Sequence, residues 1–276
     1  MWISNEKEYE QLNRKLCFYA TNDDGYLEVV YLPETESTNS WAKEHELWSY
    51  DSACVFTRHQ TAGRGTHNRQ WVQRAGLDAA VTMLMSTREL APDPRTTLVA
   101  GAAVAKAIEE LYDLPVGLKW PNDILLPIDG TGRQRWLKTG GILTETAGGN
   151  LVIGVGINCN SKAKQFPPEL RDTVTTIKDA TGNHQSVCQL VERLFHSLIK
   201  VRDAVWNKDL DGLLAEWKTR NRTSGTRYLL TRDGVSRQVT AVGVEFPDGW
   251  LNVVDDNGNE YVVISHSELS VPGEEV

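Results

Sequence analysis

The chain has 276 residues, 40% of them hydrophobic, which suffices for one large domain with a packed core and a smaller second domain. Its net charge of −8 argues against a protein whose main role is nucleic-acid binding, because that role needs a basic surface. Its four cysteines are scattered and form no CxxC pair, which argues against a zinc or dithiol site and favours a reducing, cytoplasmic location. The sequence has no signal-peptide core and no run of roughly 18 apolar residues, which argues against export and against a membrane span.

The hydrophobic pattern predicts the elements of a large domain. In chain order, it predicts a helix over residues 6–17, a strand over 27–32, a helix beginning near 38, strands over 53–57 and 79–85, a helix over 95–114, and strands over 116–120, 123–126, 137–144 and 151–158. Strands and helices do not alternate strictly. We therefore expect an α+β fold, built on a mixed sheet with helices on one face, rather than a doubly wound sheet.

The C-terminal part has a different character. Two helices are predicted between residues 186 and 220, and from about residue 221 the sequence alternates strongly, with tight turns at 232–234, 247–249 and 256–258. Five short strands in this segment predict a small barrel of the SH3-like kind. The expected organisation is an N-terminal extension over residues 1–26, a large domain over 27–222 and the barrel over 223–276.

The stretch from Arg58 to Trp71 is rich in glycine and arginine, and it has neither helical nor strand periodicity, so it predicts a loop. Gly63 and Gly65 flank Arg64, which lets the backbone approach a ligand on either side of a guanidinium. Arg64 and Arg69 carry planar donors that match phosphate or carboxylate groups. The alternative is a solvated basic loop on the surface.

Two further stretches place polar residues at the ends of predicted elements. Residues 37–39 (Ser-Thr-Asn) precede a helix, where they either bind a polar ligand edge or cap the helix. Asp123 follows Lys119 and Asn122 between two apolar runs, which places a carboxylate at the mouth of the sheet, as a metal ligand or a base. A plain β-turn explains the same residues.

The last two motifs lie on predicted strands. Lys138 stands just before Gly140 and Gly141, and a cation beside a close-approach backbone suits a negatively charged transition state. An exposed strand lysine is the alternative. Gly154 and Gly156 alternate on the next strand, but the lack of a third glycine and of a following helix argues against a dinucleotide-binding fingerprint.

Five motifs therefore occur in a fixed order: STN, QTAGRG with a tryptophan shortly after it, KWPND, KxxGIL and GxGIN, followed by the barrel. Together they closely resemble the biotin protein ligase family, over about residues 37–269. The resemblance implies the class II synthetase-like catalytic domain of biotin and lipoate ligases. It also implies an enzyme that forms biotinyl-5′-AMP from biotin and ATP with Mg²⁺, and then acylates one lysine of a biotin carboxyl carrier protein.

The resemblance implies roles for individual residues. The catalytic set is Arg64, Lys138 and Asp123, with Asp123 either the base or a Mg²⁺ ligand. The implied biotin site consists of Ser37, Thr38, Asn39, Gln60, Gly63, Arg64, Gly65, Thr66, Lys138 and Gly141. The implied ATP and adenylate site consists of Arg64, Arg69, Trp71, Lys119, Asn122, Lys138 and Asn158.

One residue departs from the family pattern. In this loop the family usually reads GRGRxGRxW or GRGRGxNxW, and Thr66 stands in place of the second arginine. The change predicts that the adenylate escapes more readily from the site, unless His67 or Arg69 substitutes for that arginine. A lipoate-type ligase and a catalytically impaired biotin-binding module stay as alternatives. Too few residues precede the STN motif for a winged helix, so we expect no nucleic-acid binding. We also expect no membrane association, and a homodimer is left open.

Overall fold

A computed structural model of the chain describes residues 4–22, 27–45, 50–66, 69–87, 93–130, 133–245, 248–265 and 268–270. The helices in these ranges are α1 (Glu6–Ala20), α2 (Thr38–Glu44), α3 (Thr96–Tyr112), α4 (Ile177–Thr181), α5 (Val187–Trp206) and α6 (Asp211–Arg220). The strands are β1 (Leu27–Leu32), β2 (Ser52–Thr57), β3 (Ala79–Ser86), β4 (Gly117–Lys119), β5 (Asp123–Gly130), β6 (Arg133–Ala147), β7 (Asn150–Ile157), β8 (Arg227–Arg232), β9 (Val235–Val244), β10 (Leu251–Asp255), β11 (Glu260–Val263) and β12 (Leu269–Ser270).

The first seven strands form one mixed sheet, in the order β1-β2-β3-β7-β6-β5-β4. Only β1 and β2 pair in parallel, and the other neighbours pair antiparallel. Opposite residues share a face of the sheet. Thr82 of β3 and Leu143 of β6 both lie opposite Gly154 of β7, and Gly141 lies opposite Gly156. These pairs define the face on which the candidate site lies.

The two faces of this sheet bury different elements, because side chains alternate along each strand. On β7, Ile153 and Val155 belong to the main core, which also contains buried side chains of α1, α3 and α5. Val152 of the same strand belongs to a second, smaller cluster with Ala42 of α2. The long helices therefore cover one face, as predicted, and the seven-residue helix α2 lies on the other.

The last five strands form a second, antiparallel sheet, in the order β11-β10-β9-β8-β12. It packs on the first through Trp120, whose Nε1 donates to the backbone oxygen of Gly249 at 2.9 Å and whose backbone nitrogen donates to Thr223 Oγ1 at 2.8 Å. The α+β class and the five C-terminal strands are confirmed.

Some elements are longer than predicted. Helix α1 continues to Ala20 because Leu16 and Ala20 extend the buried stripe that begins at Tyr9. Strands β5 and β6 continue past the predicted ends at residues 126 and 137, because they pair with each other as far as Gly130 opposite Arg133. Helix α4 was not predicted. Among the described residues, no helix is long and apolar enough to cross a membrane.

Candidate functional site

The N-terminus of α2 lies over the second face of the large sheet. Ser37 has an extended backbone, and its Oγ accepts a hydrogen bond from the backbone nitrogen of Ser40 at 3.4 Å, so its hydroxyl caps the helix. Thr38 and Asn39 are buried beneath the helix. The motif thus has a capping residue followed by two polar side chains that point into the protein, and burial requires that these find partners.

Those partners form a connected polar network. Gln60 Oε1 accepts from the backbone nitrogen of Thr38 at 2.9 Å and from its hydroxyl at 3.1 Å. The Thr82 hydroxyl donates to Asn39 Oδ1 at 2.8 Å and lies 2.7 Å from the Thr38 hydroxyl. Gln60 is itself fixed by Gln73, because Gln73 Oε1 accepts a hydrogen bond from the backbone nitrogen of Gln60 at 2.8 Å. The α2 motif and the loop are therefore joined by side chains that are held in single orientations.

Glycines let this network approach the sheet closely. A Cβ added at Gly154 would overlap Asn39 Oδ1 and lie 2.8 Å from Asn39 Cγ. A Cβ added at Gly156 would lie 2.5 Å from Cε2 of Trp71, and one at Gly63 would lie 2.5 Å from the Trp71 backbone oxygen. The alternating glycines of β7 therefore form a floor on which the Asn39 amide and the Trp71 indole rest.

The glycine-rich loop folds back on itself. Gly65 donates its backbone N–H to the oxygen of Arg69 at 2.8 Å, and Trp71 donates to the oxygen of Gly63 at 2.8 Å. This pairing brings Trp71 onto the floor and leaves the Arg69 side chain exposed. Thr66 is partly exposed. His67, the other proposed substitute for the missing arginine, lies outside the described residues.

Arg64 makes an ion pair that the sequence did not predict. Its Nη2 lies 3.0 Å from Glu145 Oε1, and Lys43 Nζ lies 2.9 Å from the same oxygen. Asn39 Nδ2 donates to the other carboxylate oxygen, Oε2, at 3.0 Å. Burial by itself would raise the pKa of the Glu145 carboxyl, but the hydrogen bonds from Asn39 and Lys43 and the charge of Arg64 hold that pKa below its usual value. Glu145 is therefore an anion at neutral pH.

Lys138 lies at the other end of the same strand face. Its Nζ is 2.5 Å from Asp123 Oδ1, and it would stand 3.8 Å from a Cβ added at Gly141. Asp123 and Gly141 are opposite each other in the β5–β6 ladder, which is irregular next to Lys138. The predicted cation and the predicted carboxylate are therefore neighbours, and each neutralises the other.

Arg64 and Lys138 lie over the same face of β6 and β7. Glu145, which holds Arg64, and Gly141, which adjoins Lys138, are four residues apart on β6, a separation of roughly 13 Å along a strand. Gly154 and Gly156 lie between these two ends on β7. The structure thus places an elongated, glycine-floored surface between two cations, each paired with its own carboxylate.

Three residues predicted to bind nucleotide lie beyond this surface. Asn158 ends β7; its Nδ2 donates to the oxygen of Thr175 at 3.3 Å, and its buried Oδ1 has no hydrogen-bond partner among the described residues. Asn122 Nδ2 donates to the oxygen of Ile142 at 2.9 Å, which anchors the KWPND turn to β6. Lys119 Nζ lies 5.4 Å from the ring centre of Tyr228 in the second sheet. Of these three residues, Asn158 is the one with a buried acceptor that lacks a partner among the described residues.

The described residues do not fit a Mg²⁺ site held by the protein alone. They contain no group of three or more His, Cys, Asp or Glu side chains placed to hold a metal ion. Asp123, the predicted ligand, is engaged by the Lys138 ammonium. Mg²⁺ keeps most of its water and commonly binds through the phosphates of a substrate.

Sequence reasoning missed Glu145, Lys43 and Thr82. All three are polar residues on or beside the buried face, but none belongs to a short motif. The position of Glu145 could have been predicted from the sequence, because it follows Gly141 by four residues on one strand and must therefore point to the same face. The position of Lys43 could not have been predicted, because a lysine in the last turn of a short helix is usually solvated.

Comparison with known proteins agrees with this geometry. The model of the biotin/lipoate A/B protein ligase family matches residues 31–161, which contain every motif except the barrel. The biotin--[acetyl-CoA-carboxylase] ligase of Mycobacterium tuberculosis is 28% identical over 248 residues, covering 87% of this chain and 87% of that protein. The sequence similarity is to the biotin/lipoate A/B protein ligase family. The predicted resemblance is thereby confirmed.

Further relatives match over part of their length. The bifunctional ligase/repressor BirA of Bacillus subtilis is 34% identical over 163 residues, which make up 56% of this chain and 47% of that protein. This chain spans about half the length of the Bacillus relatives. Among solved structures, the biotin protein ligase of Aquifex aeolicus in complex with biotin and ATP has a TM-score of 0.70 at 23% identity, covering 88% of this chain and 97% of that chain. That likeness shows a shared fold.

Proposed function

We propose that this chain is an ATP-dependent biotin protein ligase, which forms biotinyl-5′-AMP and transfers the biotinyl group to one lysine of a biotin carboxyl carrier protein. The observation that carries the proposal is the joining of all five motifs on one face of the sheet. A polar network at α2, a glycine floor under Trp71 and two cations line a single elongated surface. The names of the relatives favour biotin over lipoate.

The uncharged end of biotin suits the α2 end of this surface. The ureido group offers two N–H donors and a carbonyl acceptor, and Thr38, Asn39 and Gln60 provide amide and hydroxyl groups of both kinds within one network. The valerate chain then lies along the Asn39 amide and the Trp71 indole, which rest on Gly154 and Gly156. The carboxylate is thereby directed toward the Lys138 end.

The first half-reaction joins two anions. A biotin carboxylate oxygen attacks the α-phosphorus of ATP, the new P–O bond forms, and the bond to the leaving pyrophosphate breaks. Lys138 and Arg64 lower the cost of bringing the two anions together, provided that they exchange their carboxylate partners for substrate oxygens. Mg²⁺ bound to the phosphates of ATP would reduce the negative charge of the leaving pyrophosphate. The buried, unpartnered Oδ1 of Asn158 supplies an acceptor for a donor on the base of the nucleotide.

The second half-reaction needs a base. The carrier lysine must lose a proton before its nitrogen attacks the acyl carbon, after which the bond to AMP breaks. Once Lys138 turns to the phosphate, the Asp123 carboxylate is released at the same end of the surface. Asp123 is then available to accept that proton or to orient the incoming ammonium.

Biotin-dependent exchange of labelled pyrophosphate into ATP tests the first half-reaction. The unaltered chain should catalyse exchange with biotin and ATP, and exchange with lipoate should be at least about a hundredfold slower. Exchange that depends on lipoate would assign the lipoate-type activity. A chain that binds biotin without any exchange would be a binding module, and the proposal would be wrong.

A further inference from the structure

One carboxylate oxygen of the site is shared by two cations. Glu145 Oε1 accepts from Lys43 Nζ at 2.9 Å and from Arg64 Nη2 at 3.0 Å, while Oε2 accepts from Asn39. Glu145 is the only carboxylate to which the described ion pairs join either cation. Two positive charges therefore share one negative charge, and the group as a whole carries a net charge of about +1 at neutral pH.

The two cations differ in what holds them. Lys43 belongs to the last turn of α2, whose N-terminus is fixed by the buried network of Thr38 and Gln60. Arg64 extends from the glycine-flanked loop, and its side chain is 35% exposed. Of the two, Arg64 has the greater freedom to turn toward a ligand, because the Lys43 side chain is less exposed, at 27%.

Releasing Arg64 would ordinarily leave a carboxylate without its cation. Removing one partner of a largely buried ion pair is costly, because the other charge stays desolvated. Here the Glu145 side chain is only 18% exposed, but Lys43 and Asn39 still hold both of its oxygens after Arg64 departs. The ammonium also repels the guanidinium across the shared oxygen, which weakens the hold of Glu145 on Arg64.

We propose that Lys43 is a positioning residue that keeps Glu145 paired while Arg64 turns to the anionic oxygens of the bound ligand. This inference rests on the proposed function, in which those oxygens belong to the biotin carboxylate and to the phosphate of its adenylate. It accounts for a second, half-buried cation beside a carboxylate that Arg64 already neutralises. It also bears on Thr66, because a loop with one arginine fewer depends more on the availability of Arg64.

Steady-state exchange kinetics of three variants test the inference. In Lys43→Met, Arg64 is the only described cation left to pair with Glu145, so Arg64 leaves that carboxylate less readily. The KM for biotin should therefore rise about fivefold, which is the scale of one partly exposed ion pair. The kcat should change by less than about twofold, because neither substrate touches Lys43. In the double variant Lys43→Met/Glu145→Gln, Arg64 is no longer held, so the KM should return to within about twofold of the unaltered chain. Lys43→Arg should behave as the unaltered chain does.

A matched control removes a lysine ion pair elsewhere. Lys106 pairs with Glu216 at 3.6 Å, on the helical side of the molecule, so Lys106→Met should leave the KM unchanged. An unchanged KM in Lys43→Met, or a double variant with a higher KM than Lys43→Met, would overturn this inference while the unaltered chain stays active. Loss of exchange in the unaltered chain would instead overturn the proposed function and this inference with it.

Discussion

The glycine floor makes a prediction about Gly154. The change is Gly154→Ala, which adds one methyl group to β7 where Asn39 rests on the backbone. The new Cβ would overlap Asn39 Oδ1 and lie 2.8 Å from its Cγ and 3.1 Å from its Nδ2. Asn39 cannot move freely, because its amide bonds to Thr82, Glu145 and the backbone oxygen of Leu143.

The magnitude follows from these contacts. Overpacking by one methyl group in a closely packed site costs about 1–3 kcal/mol, and displacing a buried amide from its partners costs about 1–3 kcal/mol more. Since the side chain retreats partway, we expect the free energy of unfolding to fall by about 2–4 kcal/mol. For a chain of this size that lowers the Tm by about 5–15 °C. Biotin binding should weaken as well, because the displaced amide belongs to the proposed ureido site.

Thermal unfolding of matched variants provides the assay. In Gly243→Ala the added Cβ has no atom within 4 Å, so the Tm should stay close to that of the unaltered chain. The double variant Gly154→Ala/Asn39→Ala removes the overlapped atoms, so its loss of stability should be smaller than the sum of the two single losses. A Tm for Gly154→Ala equal to that of Gly243→Ala would refute the claim that Asn39 is held against the sheet.

Three further predictions concern the reaction. Lys138→Ala should slow adenylate formation by at least about tenfold, or roughly 1.4 kcal/mol, because a cation beside the α-phosphate is lost; an unchanged pyrophosphate burst in rapid quench would contradict this. Asp123→Asn should impair transfer from preformed adenylate to the carrier, and single-turnover transfer at the unaltered rate would remove Asp123 as the base. Thr66→Arg should slow the escape of labelled adenylate in a filter-binding chase, since a second guanidinium adds a phosphate contact; an unchanged escape rate would mean that other groups already close the site.

Much of the fold was predictable because its elements carry strong local signals. The buried strands over residues 52–57 and 79–86 are largely apolar, and the turns of the second sheet are marked by glycine and aspartate. The ends of the helices and strands were less predictable. The β5–β6 hairpin continues through polar residues because each strand provides the ladder partners of the other, and pairing of this kind leaves no trace in the hydrophobic pattern.

The candidate site was predictable as a set of motifs but not as a set of contacts. The sequence indicated Arg64 and Lys138 as cations for substrate oxygens, and both lie over one face of β6 and β7. It did not indicate that each is already paired, with Glu145 and with Asp123. Such pairs join residues that are distant in the sequence, so only the register of the sheet and the path of the loop bring them together.

Mass measurement of a carrier domain tests the central claim most directly. A purified biotin carboxyl carrier domain is incubated with the chain, biotin and MgATP, and its intact mass is then measured. We expect the addition of one biotinyl group, which requires both biotin and ATP and is lost when the target lysine of the carrier is replaced by arginine. An unchanged carrier mass, or a gain that occurs with lipoate in place of biotin, would contradict the claim.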